Sequence, residues 1–203
     1  MRTDSLEEAP ESLVSMEVRW FTDQDLPLSV PMLKEQEPKK EFRNDQYLIL
    51  PEATSVGAKL RDRNLEIKYL VQDYGIIQIS SNATGRAAVW RKISFPIPPD
   101  IVLDKVVLIK KCRWLYGFGI DDRNRAYPAS FSNLPALNFN IEFCHLETNN
   151  KDWWSICLAA YGDRGKLMHC LKIACDYVAA EVNGLDLRVD NSLSFPQWLS
   201  LIT

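Results

Sequence analysis

The 203-residue chain has no apolar run approaching the ~20 residues that a membrane-spanning helix needs, so a helical bilayer span is excluded and no membrane partner is expected. It has only two histidines, His145 and His169, and neither has a neighbouring pattern of metal ligands. Its five cysteines, Cys112, Cys144, Cys157, Cys170 and Cys175, lack CxxC spacing and cannot all pair. The first residues, "MRTDSLEEAPES", are acidic and lack the apolar stretch of a secretory signal. The expectation is a reduced, cytoplasmic chain whose cysteines act as small buried apolar residues. No GxSxG context surrounds Ser155, which excludes a nucleophile elbow there. No internal repeat, low-complexity tract or βαβ spacing is visible, and no organic cofactor is expected.

Charge is present but unevenly placed. Residues 1–54 hold 6 Lys/Arg against 12 Asp/Glu, residues 59–113 hold 11 against 5, and residues 114–203 hold 7 against 10. The basic middle third is spread over strand-like segments rather than gathered in a tail. With no aromatic and basic platform beside it, nucleic acid is not an expected partner. Basic strands that are neighbours would instead line a shaped pocket or groove.

The hydropathy pattern reads as mainly β. Residues 1–12 are expected to be a flexible lead, and 13–203 a single domain. Strand-like segments are "LVSMEVRWF" (13–21), "QYLIL" (46–50), "AKLRDR" and "LEIKYLVQDYG" with a hairpin around Asp62–Asn64, and "IIQISS". Further ones are "AAVWRKISF" (87–95), "KVVLIKKCRWLYGF" (105–118), "LNFNIEFCHLE" (137–147) and "WWSICLAAYG" (153–162). Residues 22–44 are read as a loop with room for a short helix. A helix is expected over about 164–183, capped by Asp163 and ended by Gly184, because Leu167, Leu171, Ala174, Val178 and Val182 recur at three and four. A shorter helix is expected over about 195–202, with Ser194 as N-cap and Pro196 in its first turn. Eight or so strands joined by short turns predict an antiparallel eight-stranded barrel or tunnel with a helix packed outside.

Residues two apart on a strand share a face. Lys59 and Arg61, Glu66 and Lys68, Lys111 and Arg113, and Glu17 and Arg19 are such pairs, while Arg63 falls in the hairpin turn. On "WRKISF", Lys92 shares the more polar face with Ser94, so Lys92 rather than Arg91 is expected inside. Glu142 shares its face with Asn140 and Cys144, opposite Phe139, Ile141 and Phe143. A barrel with a polar interior and a helix over its apolar outside fits this alternation. An ordinary sheet with one wet face fits it too.

The order "MEVRWF … DQYLILP … VGAKLRDRNLEIKYL … WRKISF … VVLIKKCRW … NIEFCHLE … WWSICLAAYG" resembles the CYTH-like superfamily, the triphosphate tunnel metalloenzymes, over residues 15 to about 165. The resemblance implies that Arg19, Lys59, Arg61, Lys68, Lys92, Lys111 and Arg113 bind a small anionic ligand carrying a triphosphate or polyphosphate. It implies that Glu17, Glu66 and Glu142 hold Mg2+ or Mn2+, with a metal-dependent triphosphatase as the activity. The family's ExExK motif reads S-M-E-V-R here, so Ser15 replaces its first Glu, and Ala159 stands where relatives place another acid. The anion-binding half therefore matches more fully than the metal-binding half. A non-catalytic anion-binding or interaction protein on the same scaffold, and a lipocalin-like barrel for an apolar ligand, are the alternatives.

Overall fold

Strand alternation decides the architecture. The computed structural model describes residues 11–24, 36–98, 103–179 and 187–203. Within them lie nine strands: β1 (Glu11–Thr22), β2 (Lys39–Leu48), β3 (Val56–Arg61), β4 (Asn64–Ser80), β5 (Ala83–Pro96), β6 (Val106–Ile120), β7 (Ala126–Pro128), β8 (Asn138–Thr148) and β9 (Lys151–Tyr161). Two α-helices follow, α1 (Leu167–Ala179) and α2 (Phe195–Ile202). The sheet order is β2-β3-β4-β5-β1-β9-β8-β6, and β2 pairs again with β6, so eight antiparallel strands close into a barrel. The short β7 extends the β6 edge outside that closure.

The turns follow from local chemistry. Asp62 and Arg63 both take positive φ between β3 and β4, as Asn149 and Asn150 do between β8 and β9. That is the geometry whose twist matches two antiparallel strands. Gln46 and Tyr47 provide the whole β2–β3 register, whereas β2 follows β6 from Lys39 to Leu48. The barrel is thus closed mainly by the β2–β6 ladder and is splayed between β2 and β3.

Several expectations change. The expected loop over 22–44 contains the first half of β2, because Lys39–Asn44 pair with Lys110–Leu115 across a long ladder. The charged "KKEFRND" alternates like a strand, and pairing overrides its loop-like composition. The "IIQISS" segment is not a separate strand but the continuation of β4, which shifts register at Leu70/Gln72 and Asp73/Gly75. The polar stretch before β8 contains β7. The first strand begins at Glu11, inside the expected flexible lead; residues 1–10 lie outside the described ones. Asp163 caps a 3-10 turn over Arg164–Lys166 that leads into α1, and the expected end near Gly184 lies outside the described residues.

The core sits outside the barrel wall. Met16, Val18 and Trp20 of β1, Phe139 and Ile141 of β8, and Ile156, Leu158 and Ala160 of β9 face α1, where Leu167, Cys170, Leu171, Ala174, Cys175 and Val178 meet them. A second apolar cluster lies at one end of the barrel. There Trp198 and Leu199 of α2 pack with Phe21, Tyr47, Val107, Ile109, Cys144 and Leu146. Ser194 caps α2 through a reciprocal pair with Gln197, and Pro196 sits in its first turn. Among the described residues no helix is long and apolar enough to cross a membrane.

Trp198 is fully buried and stacks on Phe21 with centroids 4.7 Å apart. Replacing it by Ala is expected to cost about 3–5 kcal/mol of unfolding free energy, read from urea denaturation. A loss below about 1 kcal/mol would mean that α2 is not part of the cooperative fold.

Candidate functional site

The faces of β1, β2, β3, β4, β5, β6, β8 and β9 that point away from α1 enclose a cavity of about 370 Å³. All ten residues expected to form a site line it: Glu17, Arg19, Lys59, Arg61, Glu66, Lys68, Lys92, Lys111, Arg113 and Glu142. Lys92 points inward and shares that wall with Trp90 and Ala88. Among the described residues nine Lys/Arg and five Asp/Glu line the cavity, an excess of four positive charges. The interior is charged, which the apolar-ligand barrel does not anticipate.

The charges are held as three linked groups. In the first, Arg19 donates to Glu142 at 2.8 Å and to Ser155 Oγ at 3.0 Å, and Arg113 Nε donates to the other Glu142 oxygen at 2.8 Å. Arg113 Nη1 also donates to Glu41 at 2.6 Å, and Glu41 in turn pairs with Arg43. In the second, Asp45 is fully buried and accepts from Lys59 at 2.8 Å and lies 3.0 Å from Lys111. Lys59 reaches Glu66 at 3.2 Å, and Glu66 also accepts from Arg61. In the third, Glu17 accepts from Lys68 at 2.6 Å on each oxygen and from Ser15 Oγ at 2.6 Å. Lys92 forms no ion pair among the described residues.

These contacts set the protonation states. Burial alone would raise each carboxyl, but the cations outweigh it. Arg113 and Arg19 hold Glu142 far below the usual carboxylate range, and Lys111 and Lys59 do the same for Asp45. Lys68 and Arg19 lower Glu17; Lys59 and Arg61 lower Glu66. Burial brings the Lys111 amine down to about 7; neighbouring Lys59 adds to this and Asp45 opposes it. Burial pushes the Cys144 and Cys157 thiols up to about 12, so neither inward-facing cysteine is a ready nucleophile.

The three acids expected to hold a metal are not free to do so. Each serves a different set of cations, and among the described residues no group of three His, Cys, Asp or Glu is placed to hold a metal ion. Ala159 lies directly opposite Glu17 across the β1–β9 ladder, so no second carboxylate stands there. Mg2+ requires hard oxygen ligands in near-octahedral order, and this donor set does not fit it.

Sequence reasoning missed one wall. Glu41, Arg43, Asp45 and Tyr47 share a face of β2, and the last three line the cavity. Their alternation in "EFRNDQY" was the available signal, hidden for Glu41 and Arg43 by the loop expected over 22–44, while Tyr47 fell in the expected strand 46–50 without being read as a wall residue. Phe195 of α2 was missed as well. Its ring lies 4.0 Å from Lys111 Nζ and stacks on Tyr47 at 4.8 Å, while Tyr47 Oη accepts from Lys111 at 2.6 Å. Compared with known proteins, the chain matches no family model and no curated protein sequence.

The pH dependence follows from these directions. Glu17, Glu41, Asp45, Glu66 and Glu142 all titrate lower in the folded chain than unfolded, so their stabilisation is complete above about pH 5 and is lost progressively as pH falls from there toward their lowered folded values. Lys111 titrates below its unfolded value of 10.5, so the folded chain carries fewer protons and stability from this group rises from about pH 7 toward 10. Chemical denaturation across pH is expected to show both limbs. Lys111→Met should flatten the alkaline one; an unchanged slope would reject the assignment.

Proposed function

We propose that the barrel interior binds a small anion carrying a triphosphate or polyphosphate group. The observation that carries this reading is the convergence of nine cations, against five carboxylates, on one cavity. Cations two apart on one strand lie roughly 7 Å from each other, a spacing that lets neighbours grip one extended anion. Arg19, Arg61 and Arg113 present planar guanidinium forks suited to phosphoryl oxygens. Lys59, Lys68, Lys92 and Lys111 act as point charges. The resemblance to triphosphate tunnel proteins leads to the same ligand class.

Binding without turnover is the preferred form of this reading. The carboxylates that a metal would need already neutralise arginines and lysines, and Ser15 and Ala159 add no oxygen donor of that strength. Metal-dependent hydrolysis is the second reading and rests on the resemblance.

Tripolyphosphate without added metal is expected to raise the melting temperature in proportion to the logarithm of its concentration, as a ligand selective for the folded state does. No shift at millimolar ligand would sink the binding reading. Phosphate release with Mg2+ or Mn2+ would promote the second. Lys92→Ala is the mildest probe, because Lys92 makes no close ion pair among the described residues and acts on Glu66 only as a more distant charge. It is expected to weaken tripolyphosphate by about tenfold with little change in the unliganded melting point. Glu142→Gln should do the reverse to the free protein. Leaving Arg19 and Arg113 short of a counter-charge is expected to cost about 3–5 kcal/mol, partly restored by tripolyphosphate.

A further inference from the structure

Strand β2 is paired along its whole length on one side only. Lys39–Leu48 all pair with β6, whereas Gln46 and Tyr47 alone pair with β3. The β3–β4 hairpin turns back at Asp62 and Arg63. Among the described residues, Lys39–Asp45 therefore has β6 on one side and no strand on the other. Backbone N–H and C=O groups along such an edge are ready to pair with another strand.

The side chains on this edge are exposed in the same place. Phe42 is 80% exposed, the highest value for a large apolar residue among those described. It lies on the outer face, because Arg43 and Asp45 at alternate positions line the cavity. Phe42 stands in register with Cys112, Cys112 with His145, and His145 with Trp154. A row rich in aromatic rings thus crosses four strands and ends in the open at Phe42.

A second copy of the chain fits this edge in one register. In a two-fold antiparallel pair, an axis centred on a residue sets that residue against its own copy and keeps like faces together. Centring it on Lys40, Glu41 or Arg43 sets like charges directly opposite each other, which is destabilising. Centring it on Asn44 requires Gln46, which β3 already occupies. Centring it on Phe42 sets ring against ring, Glu41 opposite the partner's Arg43, Arg43 opposite the partner's Glu41, and Lys40 opposite the partner's Asn44. Glu41 already pairs with Arg43 and Arg113 of its own chain, so the added pairs extend an existing alternation of charge.

We propose that the chain self-associates into a two-fold dimer through the open edge of β2, with Phe42 at the axis. Dimerisation does not depend on a ligand in the cavity. Since Arg43 lines the cavity, it brings the partner's Glu41 beside a cavity residue. One short edge buries less than the ~1,600 Å² of a standard interface, so a dissociation constant of micromolar order is expected.

Sedimentation of the full chain from about 1 to 200 μM is expected to pass from the 23.3 kDa chain to twice that mass. Phe42→Lys sets two cations on the axis and removes no buried side chain. It should raise the dissociation constant by at least about tenfold and leave the melting point of the dilute protein unchanged. The register is read by oxidative cross-linking in a Cys112→Ser background, needed because Cys112 lies opposite position 42 within one chain. Phe42→Cys should give a disulfide-linked dimer, since directly opposed positions fall within disulfide reach. Asn44→Cys, whose own copy lies well beyond that reach, should not. A monomer across the whole range, a dimer unmoved by Phe42→Lys, or equal cross-linking at positions 42 and 44 overturns the assignment.

Discussion

Nine cations facing one cavity of about 370 Å³ would repel one another and lose their hydration together, and the rest of the structure answers that constraint. The answer is a set of buried counter-charges. Glu142 stands between Arg19 and Arg113, Asp45 between Lys59 and Lys111, Glu66 between Lys59 and Arg61, and Glu17 beside Lys68. Two of these carboxylates bridge strands distant in sequence, so their pairs also fix how the strands meet. Glu142 of β8 links β1 to β6, and Asp45 of β2 links β3 to β6. Such pairs add little net stability once desolvation is counted, but removing one partner leaves an uncompensated charge. The network therefore makes the interior intolerant of single changes while leaving a positive surplus in the cavity.

The apolar core has been displaced to make room for this. In a small barrel of ordinary design the inward faces interdigitate and the outer faces meet water. Here the inward faces carry ions, and burial of apolar surface falls to the outer face under α1 and to the end cluster under α2. The two helices thus divide the work. One supplies the hydrophobic face that the barrel cannot supply internally, and the other seals the end where the inward series turns apolar.

Much of this was legible because period-two alternation reports both faces at once. Phe139, Ile141 and Phe143 against Asn140, Glu142 and Cys144 announced one greasy and one polar face, and Lys92 was separable from Arg91 by the same rule. What alternation does not report is which face turns inward, because a wet outer face and an ion-lined interior have the same pattern. Closure decides it, and closure depends on β2, whose charged first half reads locally as a loop. Pairing of Lys39–Leu48 with β6 is a long-range property, and with it went Arg43 and Asp45 as wall residues. The fate of the acids was hidden for a related reason. Sequence shows a carboxylate but not whether a cation from another strand has already claimed it.

That last point bears on how such a site divides between binding and chemistry. A carboxylate serves a metal only if its lone pairs are directed at one point with few competing donors. At Glu17 both oxygens accept from Lys68, and Ser15 donates a further hydrogen bond. Across the ladder Ala159 brings no oxygen at all. The hydroxyl at position 15 therefore gives Glu17 a donor at its side rather than a second acceptor. With Lys68 on both of its oxygens, Glu17 holds a lysine and belongs to a cage of paired charges. On the anion-binding reading proposed above, an entering anion competes with Glu17, Glu66 and Glu142 for their cation partners, so its affinity depends on how readily these carboxylates yield them.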